Sequence, residues 1–141
     1  MHFTKMHGLG NDYLYVYGEV PENVAELSVQ LSDRHFGAGS DGMTYIWPSS
    51  VADFKMHIFN ADGSEAKMCG NGIRCVGKYV YDKGYTNKLH LRIETLSGIR
   101  TLNLQVTDGK VDNVTVNMGK AAVQEDMRLL VGGAEAVCTP V

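Results

Sequence analysis

The sequence predicts an α+β fold in which a curved, largely antiparallel sheet wraps around one central helix. Three observations carry this. Several short runs alternate apolar and polar residues with a period of two, as half-buried strands do. Two windows repeat apolar residues at helical spacing, and glycine-containing breaks separate the runs at lengths that suit tight turns.

The first run, Phe3 to Glu19, reads as strand, turn, strand. Leu14 and Val16 alternate with Tyr13, Tyr15 and Tyr17, and Gly8-Leu9-Gly10-Asn11-Asp12 interrupts the pattern. Pro21 and Asn23 open a helix whose apolar face is Val24, Leu27 and Leu31, with Gly37 as its expected stop. Met43 to Trp47 and Phe54 to Phe59 are two further strands; in the second, Phe54, Met56 and Ile58 face one way and Lys55 and His57 the other. A polar loop follows Asn60, and then a helix from about Gly70 to Lys83, closed by Gly84. Ile73, Val76 and Val80 line one face of it, and Gly77 allows a close approach. Three alternating runs complete the pattern: Leu89-Leu91-Ile93, Leu102-Leu104-Val106 and Val114-Val116-Met118. Ser97-Gly98 and Asp108-Gly109 turn the chain between them. This organises residues 1–120 as one lobe. Residues 121–141, with Gly132-Gly133 and Pro140, read as a linker or the start of a second lobe.

A chain of 141 residues is long enough for one core and too short for two full domains. With 44% hydrophobic and 21% charged residues it has the balance of a folded domain rather than a disordered one. A net charge of −3 gives no electrostatic reason to expect nucleic acid or an anionic membrane as partner. The start, Met1-His2-Phe3-Thr4-Lys5, lacks the basic and apolar regions of a signal peptide, and no apolar run is long enough to span a bilayer. The expectation is a cytoplasmic protein. Cys69, Cys75 and Cys138 make no even framework and no paired metal-ligand spacing, and the five histidines are scattered. No metal site is expected, and in a reducing compartment a thiol kept for its reactivity stays open.

The stretch that bears chemistry is Asn60 to Cys75, in which Cys69 stands at the entrance of a helix followed by Gly70, Asn71 and Gly72. A helix N-terminus presents unpaired N–H donors and the positive end of the dipole. Such a place favours a thiolate at Cys69, and the same donors can hold a carboxylate. The competing reading makes Cys69 a small buried hydrophobe and Gly70-Asn71-Gly72 a plain turn. Exposure decides between them. The turn lacks the Gly-Lys-Ser/Thr ending of a P-loop and the spacing of a dinucleotide fingerprint. Cys75, six residues on, points away from Cys69 and reads as core. Cys138 reads as a linker residue, His7 as a structural turn residue and Trp47 as a packed aromatic. Arg74 is placed to bridge the helix to an acidic loop residue such as Asp62.

The pattern Asn-x-Asp-Gly-Ser-x4-Cys-Gly-Asn-Gly-x-Arg, unbroken from Asn60 to Arg74, resembles the signature of diaminopimelate epimerases. Lys5 to Asp12 is similar to that family's opening. Asp33-Arg34 with Gly37-Ala38-Gly39-Ser40-Asp41-Gly42 is similar to its second glycine-rich loop. The resemblance implies one half of a two-lobed epimerase fold, acting on LL- and meso-2,6-diaminopimelate on the route to lysine and peptidoglycan precursors. It implies that Cys69 is one of two cysteines in a proton relay that uses no metal or organic cofactor. It also implies that Asn11, Asn60, Gly70 and Asn71 contact the amino-acid substrate. Gly42 departs from members that carry a glutamine there, so that side-chain contact is missing. The second cysteine, and the acidic and arginine pair for the far end of the substrate, belong to a C-terminal lobe that this sequence does not contain; activity alone is expected to be slow or absent. Apolar surface left uncovered by that lobe favours self-association into a homo-oligomer. A proline racemase relative and a non-catalytic amino-acid-binding lobe are the alternatives.

Overall fold

The computed structural model describes residues 1–120, together with the backbone of two strands at Arg128–Val131 and Ala134–Val137. In chain order the elements are β1 (Thr4–Gly8), β2 (Asn11–Tyr17), α1 (Val24–Ser32), β3 (Gly42–Pro48), β4 (Phe54–Asn60), β5 (Glu65–Ala66) and α2 (Gly70–Asp82). β6 (His90–Thr95), β7 (Gly98–Thr107), β8 (Lys110–Val116), β9 (Arg128–Val131) and β10 (Ala134–Val137) follow. The main sheet runs β1-β2-β3-β4-β6-β7-β8, with β5 added beside β4, while β9 and β10 form a separate antiparallel pair. The expected α+β class and curved sheet are present, but the sheet is mixed. β2 pairs β3 in parallel across the α1 crossover, and β4 pairs β6 in parallel across α2. Alternation within a strand does not report its partner's direction, so the sequence could not supply these two pairings.

The helices lie on opposite faces of the sheet, and β2 explains how. Tyr13 and Tyr15 point into the core beneath α2, whereas Leu14 and Val16 point into a smaller core beneath α1. A strand covered on both faces needs apolar bulk on both. That is why this one combines tyrosines with Leu and Val. By contrast β6 and β7 bury alternate residues, Leu91, Ile93 and Thr95 on one and Leu102 and Leu104 on the other, and leave the residues between these wholly or partly in solvent. α2 is the centre of the larger core. Ile73, Val76 and Val80 have no exposed surface, and burial of side chains of this size contributes about 1.5–3 kcal/mol each. A Cβ at Gly77 would stand 3.0 Å from both Leu102 Cδ1 and Leu104 Cδ2. The glycine expected to allow close packing does so against β7.

Two local expectations need correction. α1 stops at Ser32, well before Gly37. Asp33 leaves the helix at ψ 126°, and its Oδ1 accepts from the backbone N–H of both His35 and Phe36, at 2.7 and 2.8 Å. An aspartate that caps its own following turn ends a helix as well as a glycine does. β5 lies in what reads as plain loop, because two residues are too few to show a period. Among the described residues no helix is long and apolar enough to cross a membrane, and no group of three or more His, Cys, Asp or Glu is placed to hold a metal ion. Cys138 lies outside the described residues.

Candidate active site

Three segments distant in sequence meet at the entrance of α2. Cys69 is the residue before the helix, in extended backbone at φ −139° and ψ 113°, and its Sγ accepts from Gly72 N–H at 3.2 Å. A sulfur thus fills the capping position that an oxygen usually takes. The carbonyl of Cys69 accepts the first helical bond, from Ile73 N–H at 2.9 Å. Helix geometry leaves the N–H groups of Gly70 and Asn71 without intrahelical acceptors. Cys69 is partly exposed, at the edge of the larger core.

The β1–β2 hairpin delivers Asn11 to this sulfur. Gly8 packs directly on the helix entrance, where a Cβ would come within 3.2 Å of Asn71 Cβ. Asn11 follows across the tight turn, with its Oδ1 3.2 Å from Cys69 Sγ, in position to accept the S–H. The other end of the same amide, Nδ2, donates to Asp41 Oδ2 at 2.7 Å. Asp41 also accepts from Asp12 N–H at 3.0 Å and from Arg34 at 2.9 Å. Arg34 grips both oxygens of Asp12, at 2.8 and 3.2 Å, and Lys5 stands 3.3 Å from that carboxylate. The Arg34 hydrogen bond holds the Asp12 carboxyl down at about 2, with Lys5 helping against the opposing effect of burial.

Asn60 lies at the end of β4, paired with Gly42. Its backbone carbonyl accepts from the buried Ser28 hydroxyl at 2.8 Å, which ties α1 to the end of β4, and its Nδ2 donates to Ser64 Oγ at 3.0 Å. Asn71 holds its side-chain oxygen toward Arg74. The expected bridge from Arg74 to Asp62 is therefore not formed. Asp62 instead accepts from the N–H and hydroxyl of Ser64, and these bonds pull its carboxyl below the ordinary range. Gly42, at the start of β3, has no room for a side chain: a Cβ there would sit 2.1 Å from Phe59 O. A glutamine at this position would require a different path of the β3–β4 pair.

The other described cysteine takes the expected structural place. Cys75 is 6% exposed and packs in the core, where burial pushes its thiol up. Tyr13 and Tyr15 are pushed up chiefly by burial as well, Tyr13 with Cys69 beside it and Tyr15 with Cys75. His7 accepts from Gly10 N–H at 3.4 Å within the hairpin turn, and Trp47 packs 5.1 Å from the His57 ring, both as expected. A cavity of about 500 Å³ lies between β1, α2 and β8 and is lined by Leu9, Arg74, Lys78 and Val111 among others. Cys69 is not part of its lining. The roles of Ser28, Arg34 and Asp41 escaped the sequence reading; the last two stand inside the second glycine-rich motif, but nothing local shows what they hold.

Residues 3–124 match the family model for diaminopimelate epimerase. The chain belongs to the diaminopimelate epimerase family. A diaminopimelate epimerase of Acetivibrio thermocellus is 59% identical over 128 residues, which is 89% of this chain and 46% of that protein. One from Methanococcus maripaludis is also 59% identical over 128 residues, with the same shares. The chain therefore spans about half the length of the curated relatives it matches. Among solved structures, a hydroxyproline epimerase from Agrobacterium vitis superposes with a TM-score of 0.69 at 22% identity, covering 92% of this chain and 44% of that one. A probable proline racemase from Agrobacterium radiobacter gives 0.68 at 19% identity, over 92% and 45%. At such identities these two share the fold alone, whereas the diaminopimelate epimerases share the sequence.

Proposed function

We propose that this chain is the N-terminal lobe of a cofactor-independent diaminopimelate epimerase. It would interconvert LL- and meso-2,6-diaminopimelate with Cys69 as one of two opposed thiols. The observation that carries the reading is the sulfur at the mouth of α2, partly exposed, 3.2 Å from Asn11 Oδ1 and 3.2 Å from Gly72 N. Inverting an α-carbon means taking a proton from one face and returning one to the other. One group must be ionised and its opposite protonated, and thiols with a reference pKa of ~8.5 reach either state near neutrality. A sulfur with an acceptor for its S–H and a donor for its lone pair is served in both.

The rest of the site follows from the same geometry. The N–H groups of Gly70 and Asn71 hold the substrate carboxylate at the positive end of α2 and stabilise charge as it develops on that carboxylate. Asn11 and Asn60, fixed by Asp41 and Ser64, offer their remaining hydrogen-bonding capacity to the amino-acid end of the substrate. Residues 1–120 form the lobe and 121–141 lead toward a second lobe, which supplies the opposing cysteine and the groups for the far end of diaminopimelate. Self-association of the isolated lobe belongs to the same reading, since the apolar surface it would turn toward a second lobe then stays uncovered.

The test is α-proton exchange from LL-diaminopimelate in deuterated water. Exchange is slow or absent with this chain alone and appears when the second half of a relative is supplied as a separate polypeptide. Cys69→Ala then lowers it by at least about 100-fold, the scale of a lost acid–base group. Exchange that persists in the Cys69→Ala pair ends the proposal. Amino-acid affinity without exchange, even with the second half present, makes the chain a binding lobe instead.

A further inference from the structure

The Asn11 amide has two different ends, and each suits a different state of the sulfur. Its oxygen accepts from a thiol, whereas its NH2 would donate to a thiolate. A carboxylate can only accept hydrogen bonds, so the end of the amide that meets Asp41 Oδ2 at 2.7 Å has to be the NH2. The oxygen is then the end that meets Cys69 Sγ at 3.2 Å. Asp41 is itself held firmly. Its side chain accepts from Arg34 and Asp12 N–H, its N–H donates to Asp12 O at 2.7 Å, and its carbonyl accepts from Ala61 N–H at 2.9 Å. Turning the amide over would set Asn11 Oδ1 against a carboxylate oxygen with no proton between them.

From this we infer that Asp41 is a positioning residue, one that fixes the Asn11 amide with its oxygen toward Cys69, so that this amide serves the S–H as acceptor and is withheld from the thiolate as donor. After the proton leaves, Gly72 N–H remains as the partner of the thiolate. The other groups whose charge couples to Cys69 are Tyr13 and Tyr15 on β2 and Cys75 on α2. Around Asp41 stand Arg34, Asp12 and Lys5, and Arg74 is turned aside to Asn71. All of these are unchanged in the variants below.

The experiment is the pH profile of iodoacetamide labelling at Cys69, with labelled peptides resolved by mass so that Cys75 and Cys138 are counted apart. Asp41→Ala removes both the charge and the acceptor and frees the amide to turn. Labelling at pH 7 is expected to rise about three- to tenfold, with the profile moved to lower pH by about half to one unit. Asp41→Asn removes the charge but keeps an acceptor oxygen, and is expected to stay within about twofold of the parent chain. Equal acceleration in both variants would assign the effect to charge alone and overturn the inference, as would no acceleration in Asp41→Ala. A second measurement needs no variant. In the unaltered chain the side-chain amide resonances of Asn11 are expected to move with the acid titration of Asp41, and an amide that stays still overturns the inference too. The catalytic meaning rests on the role proposed for Cys69, but labelling and resonance shifts do not. A failed exchange assay beside the expected labelling pattern would remove that role and leave the positioning standing.

Discussion

Cys69 and Cys75 sit on one helix, six residues apart, and have opposite circumstances. At the mouth of α2 the sulfur is partly exposed and has hydrogen-bond partners on two sides, Asn11 Oδ1 and Gly72 N–H. In the middle of α2 the sulfur is buried among apolar side chains, and burial pushes its thiol up. The side chain is the same. What differs is which part of the helix the sheet covers, and the two glycines that admit close approach divide that work. Gly8 brings a hairpin with polar residues onto the mouth, and Gly77 brings the leucines of β7 onto the middle. The middle of the helix holds the lobe together, and its mouth stays partly open to solvent.

Substitutions should therefore act on different quantities at the two places. The largest effect on stability is expected in the middle. Ile73→Ala opens a void beneath fully buried neighbours, and the unfolding free energy from urea titration should fall by about 2–5 kcal/mol. A loss under 1 kcal/mol would mean that α2 is not the centre of the core. Next comes the contrast between the thiols. In native buffer Cys69 should be alkylated at least about tenfold faster than Cys75, which reacts only when the core opens. Equal rates would erase the distinction between mouth and middle.

Much of this arrangement was legible in the sequence, for reasons that can be named. α2 showed its full extent because a helix buried along one stripe repeats its apolar residues, and Ile73, Val76 and Val80 do so cleanly. The β6–β8 strands were legible because one face meets the core and the other meets water. The two parallel pairings were not, since hydrogen-bond direction leaves no trace in side-chain alternation. In the site, Cys69 and its neighbours stood in one contiguous motif. The contact between Asn11 and Cys69 spans 58 positions and depends on where the hairpin lands. Asp41 was harder still, because an aspartate near glycines usually serves its own turn, as Asp33 and Asp62 do here. Only the fold shows that Asp41 reaches another strand.

The ionic side of the mouth gives a smaller and pH-dependent effect. Asp12 is held at about 2 rather than 3.8, principally by Arg34. A carboxyl whose folded value is depressed adds stability that is complete above its unfolded value and disappears as pH falls through its folded one. The contribution should thus be whole above about pH 5 and gone near pH 1, below both values. Asp12→Asn should cost about 1 kcal/mol at pH 7, less than the full shift implies because solvent screens the half-exposed Arg34 partner. Parent and variant should converge in acid titrations of the melting curve. A difference that persists undiminished near pH 1 would show that Asp12 acts through packing rather than charge.

The smallest effect is expected at the tip of the hairpin that delivers Asn11. Leu9 has φ 56° and is 89% exposed, so it bears left-handed backbone strain with almost no burial to offset it. Asparagine tolerates that backbone region better than leucine does. Leu9→Asn should therefore raise stability by about half a kcal/mol, roughly half the usual cost of an L residue in this conformation. Thermal denaturation at neutral pH reads the sign directly. The turn itself should be unchanged, so Asn11 should still reach Cys69 and labelling at Cys69 should keep its rate. A loss of stability would reveal that the leucine packs into the adjoining cavity beside Val111, and would transfer the hairpin tip from the chemical end of the lobe to its structural one.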